Sequence, residues 1–284
     1  MIYLHKNGIT VVAKEEAKRG KVYELNGEEY YIARGVADIK RIVESGEYPL
    51  NRVVTSKLTS LNYLFQIQGG YYQAAVPEGF NDDITNWDTS NVLSMEEVFS
   101  GWPAFNQDIS KWDTSKVESM YGMFKSSKYK GSYYLGNTSF NQDISNWDVS
   151  NVTSMSGMFR DASSFNQSIG NWDVSKVESM GYMFRNAKSF NQDLNGWGKL
   201  IDADGMFYGA SSFNSPIGKC KLSSTSTSME NMFREATSFN QDISSWDVSN
   251  VTQMKGLFQD ATSFNQDLRT WKLNEKLPKS RTMF

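Results

Sequence analysis

Cysteine and histidine are nearly absent from the 284 residues, with one of each, Cys220 and His5. A single cysteine excludes an intramolecular disulfide framework and any multi-cysteine zinc or iron–sulfur site. A single histidine, remote in sequence from every repeated feature, excludes a Cys/His metal cluster and speaks against a hydrolytic triad with a histidine base. No metal and no cofactor is therefore expected. No run of about 18 apolar residues occurs, so no membrane-spanning helix is expected. Met1–Lys6 is not followed by the apolar stretch of a signal peptide, so none is expected either. A large excess of positive charge is missing too: 29 Lys and Arg stand against 32 Asp and Glu, a formal net charge of −3. That balance argues against a nucleic-acid-coating protein or one drawn to an anionic membrane.

What is present is enough to build a core, since 39% of residues are hydrophobic and 14% aromatic. Self-similarity dominates. Phe-Asn pairs begin at Phe80, Phe105, Phe140, Phe165, Phe190, Phe213, Phe239 and Phe264, and subtraction gives intervals of 25, 35, 25, 25, 23, 26 and 25 residues. The cleanest copy is FNQDISNWDVSNVTSMSGMFRDASS, from Phe140 to Ser164. A degenerate half copy, Leu58 to Phe65, matches Val152 to Phe159.

Two patterns follow each other within a unit. Val152, Met155, Met158, Phe159 and Ala162 recur at helical spacing, which predicts a short one-faced helix. Ser115–Glu118 and Ser175–Glu178 have the form of capping boxes at its start. The other half, Asn141 to Trp147, is turn-rich and predicts a strand of three to five residues around Ile144. Neither element can bury its apolar face alone, but stacked copies can. Coils about 4.8 Å apart would form a rod or arc of roughly 40 Å. The expected architecture is an α/β solenoid, a leucine-rich-repeat-like stack of about eight strand-plus-short-helix coils over residues 57–284.

Several ladders invite functional readings and have plainer ones. Trp87, Trp112, Trp147, Trp172, Trp197, Trp246 and Trp271 suggest sugar stacking, yet seven indoles at one register read more simply as a core column. Asp83, Asp108, Asp143, Asp193, Asp242 and Asp267 suggest calcium, but the glycine-rich nonapeptide of calcium-binding β-rolls is missing, and turn hydrogen bonding accounts for them. The methionines of the helical half read as core filler. Cys220 occupies the tryptophan slot of its own unit and reads as a small buried hydrophobe.

Residues 1–56 lack the repeat. Ile9–Val12 and Val22–Leu25 predict strands, and Asn26-Gly27 before Tyr30-Tyr31-Ile32 predicts a tight hairpin. Val36, Ile39, Ile42 and Val43 form a helical stripe that Gly46 can end. The expectation is a small α+β module that covers the apolar end of the first coil or attaches the chain elsewhere. At the last coil, Lys276, Lys279 and Arg281 either form a polar face or that end docks on another subunit. Two insertions, Gln66–Gly79 and Lys125–Ser139, break the repeat at equivalent positions and should emerge from one edge. Together they offer Tyr71, Tyr72, Tyr129, Tyr133 and Tyr134 with Lys125, Lys128 and Lys130, the composition of adaptable binding loops, although a tolerated surface insertion would look the same.

The unit FNQDISNWDVSNVTSMSGMF closely resembles the bacterial BspA-like leucine-rich-repeat surface proteins, the repeat class also found in mycoplasma lipoproteins, over residues 57–284. The start, from Asn7-Gly8-Ile9-Thr10 through Asn26-Gly27 to Val53-Val54-Thr55-Ser56, also looks like the leader that precedes such repeats in phage and other viral proteins. The resemblance implies a surface-displayed binding or adhesion role without catalysis, and it offers no consensus ligand residues. Family members on cells usually carry a secretion signal or anchor. Lacking both, the chain is expected on a virion surface, contacting a host-surface protein or glycan or other virion proteins. A structural decoration or fibre-attachment role, and a cellular surface adhesin, are the alternatives. Oligomers through the N-terminal module or the last coil fit the same picture, without nucleic acid or membrane insertion. An enzyme is not expected, because the paired carboxylates recur in every unit, whereas an active site needs unique convergent groups.

Overall fold

A computed structural model describes residues 1–66, 81–125, 138–277 and 283–284, and the backbone of 127–129 and 133–135. The N-terminal region is a small α+β unit. Strands β1 (Ile2–Leu4) and β2 (Val11–Ala13) pair antiparallel, as do β3 (Val22–Leu25) and β4 (Glu28–Ile32). Asn26 and Gly27 turn the second hairpin with φ of 58° and 80°, the left-handed geometry a two-residue turn demands. Helix α1 (Val36–Ser45) buries Ile39 and Ile42 and ends at the left-handed Gly46, as its stripe predicts. Strand β5 (Val53–Val54) then adds parallel to β4. One strand departs from expectation. Ile9 and Thr10 are drawn into a turn because both amides donate to Asn7 Oδ1, so pairing begins only at Val11, with the unforeseen β1 as its partner.

From Thr55 onward the chain repeats, and the one-faced helix expected in each unit does not form. Its amides alternate in use. In the unit containing Met155, the N–H groups of Thr153, Met155, Gly157, Phe159 and Asp161 reach carbonyls of neighbouring units, at Glu118, Ser179, Gly181, Met183 and Arg185. Those of Met158, Arg160 and Ala162 close tight turns onto Met155, Gly157 and Phe159. An α-helix would consume every amide within the unit, leaving none for the neighbour. Gly157 and Asp161 take φ of 62° and 64°, as the third residue of a type II turn must. The apolar spacing that suggests a helix is thus produced by consecutive turns that also return side chains to one face.

The expected strand around Ile144 is also absent. Parallel bridges occur instead in the segment read as helical, linking Ser60, Ser94, Ser119, Ser154 and Ser179 in series and Ser228 to Gln253. Among the described residues, regular strand pairing between units is limited to β8 (Lys199–Leu200) with β9 (Lys221–Leu222). Nor do the capping boxes form. Ser115 and Ser175 donate their amides to Asp113 and Asp173, while Glu118 donates its own amide to Leu93 O. The short aspartate two residues upstream captures the serine before the glutamate can.

The interior is an aromatic stack. One phenylalanine from each of seven units forms a column through Phe99, Phe124, Phe159, Phe184, Phe207, Phe233 and Phe258, with ring centroids 5.3–5.8 Å apart. The Phe before Asn, from Phe105 to Phe264, forms a second, joined to the first at 3.8–4.0 Å, as at Phe159–Phe165 and Phe124–Phe140. The tryptophans are buried beside them. Most indole N–H groups donate to the carbonyl of the preceding unit's Ile, as Trp147 does to Ile109 and Trp172 to Ile144, so a large ring is buried without stranding its polar atom. At Cys220 the thiol takes over that bond, to Leu194 O at 3.2 Å. The next indole, Trp246, is left with its N–H unpaired. Burial pushes the Cys220 thiol up to about 11, as expected of a packing cysteine.

The half copy also stacks. Leu61, Leu64 and Phe65 are buried, and Leu61 and Phe65 donate to Ser94 and Val98 of the next unit. The N-terminal region sits against this start: Trp87 Nε1 donates to Leu50 O, Val11 N to Asn86 O and Thr55 Oγ1 to Asp88 O. Tyr31, Ile39, Ile42 and Val53 therefore belong to the same core as the aromatic columns.

Candidate binding surface

Outside the core, three polar columns run across the units. In the first, each Asn after Phe accepts from the amide of its successor, as Asn106 Oδ1 does from Asn141, Asn141 Oδ1 from Asn166 and Asn166 Oδ1 from Asn191. The second is the aspartate ladder, whose carboxylates accept from the residue two positions on: Asp143 from Ser145, Asp242 from Ser244 and Asp267 from Arg269. These side chains serve the turns. Among the described residues, no group of three His, Cys, Asp or Glu could hold a metal ion.

The same hydrogen bonds hold several carboxyls below their usual range. The backbone amide of Ser145 acts on Asp143, and the hydroxyls of Ser150, Ser175, Ser244 and Ser249 act first on Asp148, Asp173, Asp242 and Asp247. Arg269 lowers Asp267 to about 2. A folded pKa below the unfolded one adds stability above the unfolded value, about 3.9, that is lost as pH falls through the folded value. The melting temperature should therefore hold level from neutrality to about pH 4 with respect to these groups and decline below it. Differential scanning calorimetry across pH 2–7 tests this; no decline below about pH 4 would mean the turn bonds add nothing.

The third column follows the core Phe at the sharp turn of each unit and carries the most varied chemistry. Both insertions start from it. Glu97, 7% exposed with φ of 52°, lies between their roots: its Oε1 accepts from Lys125 Nζ at 2.6 Å and its Oε2 from the Gln66 amide. Lys125 also lies over the Tyr121 ring at 4.6 Å. Tyr63 and Tyr121 flank the pair as exposed aromatics, and burial together with Glu96 and Glu97 pushes the Tyr63 phenol up. Lys125, expected as a binding residue, is thus engaged in holding the insertion roots together.

Of the other expected residues, Tyr71, Tyr72 and Lys130 lie outside the described residues. The second insertion contains a hairpin, β6 (Ser127–Tyr129) with β7 (Tyr133–Leu135), that sets Lys128 opposite Tyr134 and Tyr129 opposite Tyr133 in backbone register. The side chains of those four also lie outside the described residues.

Beyond the hairpin the column borders an open trough of about 830 Å³. One lip is Asp161, Asn186, Gly209, Glu235 and Asp260, all with positive φ. Opposite stand Thr138, Ser163, Lys188, Ser211, Thr237 and Thr262. Beside the first lip in the chain stand three arginines and one phenol, Arg160, Arg185, Tyr208 and Arg234. The Arg185 guanidinium lies 4.5 Å from the Tyr208 ring centroid and Arg234 5.3 Å from it, while Arg160 and Arg234 sit 3.5 Å from the carboxylates of Asp161 and Glu235. Sequence reasoning missed this surface. Its signal lies in the two residues after Phe159, Phe184, Phe207, Phe233 and Phe258, which read Arg-Asp, Arg-Asn, Tyr-Gly, Arg-Glu and Gln-Asp while the Phe and the following Ala stay constant.

Units that pair through turns, share one aromatic interior and present variable polar columns define a repeat protein with few regular helices or strands. Residues 43–133, 131–201 and 198–284 match the family described as Mycoplasma protein of unknown function, DUF285, and the chain belongs to that family of leucine-rich-repeat-like repeats. No curated protein and no solved structure matches it.

Proposed function

We propose that the chain is a non-enzymatic binding or adhesion protein, a leucine-rich-repeat-like solenoid of the BspA type, displayed on a virus particle such as a phage and directed at a host-surface glycan or protein. The trough is the observation that supports this reading. Hydroxyls and carboxylates recur along it from unit to unit, with one amide at Asn186 and one ammonium at Lys188, which suits an extended polar polymer laid across several units. A reaction centre would instead gather unlike groups at one point. The hairpin, which ends at Leu135, precedes Thr138 of the trough closely in the chain, and its tyrosines are proposed to extend the contact.

The test uses the fluorescently labelled full chain on a glycan array and on intact bacterial cells. Replacing Tyr129, Tyr133 and Tyr134 with Ala, or Lys188 with Glu and Thr237 with Lys, should weaken binding about tenfold or more, 1.4 kcal/mol, with the unfolding temperature unchanged. Equal binding by both variants would reject this surface. A decoration or attachment role on the particle is the second reading, supported by Leu273, an exposed apolar side chain. Immunogold labelling of purified particles bears on both: absence from particles would count against a virion role altogether.

A further inference from the structure

The chain's single histidine is brought beside the first units. A cleft of about 220 Å³ opens where the β1–β2 hairpin lies on them, lined by Tyr3, His5 and Thr10 from the hairpin and by Asp88, Ser90 and Lys111 from the repeats. The hairpin is anchored there by Val11 N to Asn86 O and Ala13 N to Ser56 Oγ, so the cleft has two walls fixed to each other.

Asp88 is the unusual member. Its equivalents Asp113, Asp148, Asp173 and Asp247 make the same turn and are exposed, whereas the N-terminal region covers Asp88 and leaves it 5% exposed. Oδ1 accepts from the amide and hydroxyl of Ser90 at 3.1 and 2.7 Å. Among the described residues Oδ2 has no hydrogen-bond or ion-pair partner, and Lys111, on the same cleft, forms no ion pair with it. Asp88 Oδ2 therefore keeps its access to the open cleft, where a guest that supplies a donor can take the place of water.

The remaining lining narrows the guest. Lys111 donates, the Thr10 hydroxyl accepts from Asn7 Nδ2 and has its own proton to give, the His5 imidazole accepts the Asn7 amide at Nδ1 and leaves Nε2 for a guest, and Tyr3 is 41% exposed. Donors and acceptors interleaved beside one aromatic ring suit a compact polyhydroxylated molecule, whose hydroxyls each donate and accept. The volume, about a quarter of the trough's 830 Å³, suits one ring and not a chain. We propose that this cleft binds a single sugar residue, one of its hydroxyls donating to Asp88 Oδ2. The site is separate from the trough and does not rest on the function proposed for it.

Saturation-transfer NMR on the full chain tests the site, with D-glucose, D-galactose and N-acetyl-D-glucosamine as probes at millimolar concentration. At least one should give a signal. Asp88→Asn keeps the turn, because an amide oxygen can still accept from Ser90, but can replace the free acceptor with a donor. It should weaken binding about tenfold or more, the scale of one charge-assisted hydrogen bond. His5→Ala, which leaves the hairpin's backbone bonds in place, should weaken it as well. No signal from any of the three sugars would overturn the proposal. So would unchanged binding by Asp88→Asn, or binding of methylammonium alone.

Discussion

Phe184→Ala should lower the free energy of unfolding by about 3–5 kcal/mol, the range for removing a large aromatic ring from a packed core. The ring is fully buried and meets Phe159 at 5.8 Å, Phe190 at 3.9 Å, Trp197 at 6.2 Å and Phe207 at 5.6 Å. Its loss opens a void against both neighbouring units, which cannot close over it because their amides and carbonyls fix the spacing. Urea unfolding followed by tryptophan fluorescence measures the effect, and the tryptophans in several units also report whether unfolding stays cooperative. A loss under about 1 kcal/mol would show that the column is not continuously packed.

Excising residues 165–189 should leave a folded protein, less stable by about 1–4 kcal/mol if the 25 residues contribute the usual 0.05–0.15 kcal/mol each. The splice restores Ser-Phe, since Ser164 precedes Phe165 as Ser189 precedes Phe190. Asn191, whose amide now donates to Asn166 Oδ1, would find Asn141 Oδ1 in the same place. Excising only 165–176 removes half a unit and should give an aggregated product, because turns would then face aspartate bends across the joint. Size-exclusion chromatography and calorimetry distinguish the two. A soluble, cooperative half-unit variant, or an unfolded whole-unit one, would refute stacking in register.

The burial pattern was legible because it is set by chemistry repeated many times. Phe, Ile, Trp, Val and Met at fixed positions gave the core, and Cys220 in the tryptophan slot was rightly placed inside it. Asn26-Gly27 and Gly46 marked their turns because few residues tolerate positive φ there. The secondary structure was misread where two conformations share one spacing. Val152, Met155, Met158, Phe159 and Ala162 suit a helix face equally well, and only the carbonyls of adjacent units, which no single unit contains, decide for turns. Left-handed Gly157 and Asp161 were the available clue, but Tyr63, Glu97 and Tyr182 take the same backbone at equivalent places and disguise it. For the surface, the insertions drew attention by their length, while the trough varies in identity at constant length. The cleft at Asp88 was illegible: its aspartate resembles four others, and only the docking of a segment some 80 residues earlier sets it apart.

The third column has a consequence for how such a protein diversifies. Its side chains hang from bends whose shape is secured by backbone bonds, so Arg, Tyr, Lys or Gln can be exchanged there with little penalty to folding. A lineage could thus rewrite its outward lettering one character at a time, or copy a whole line, while the binding that holds the pages stays untouched.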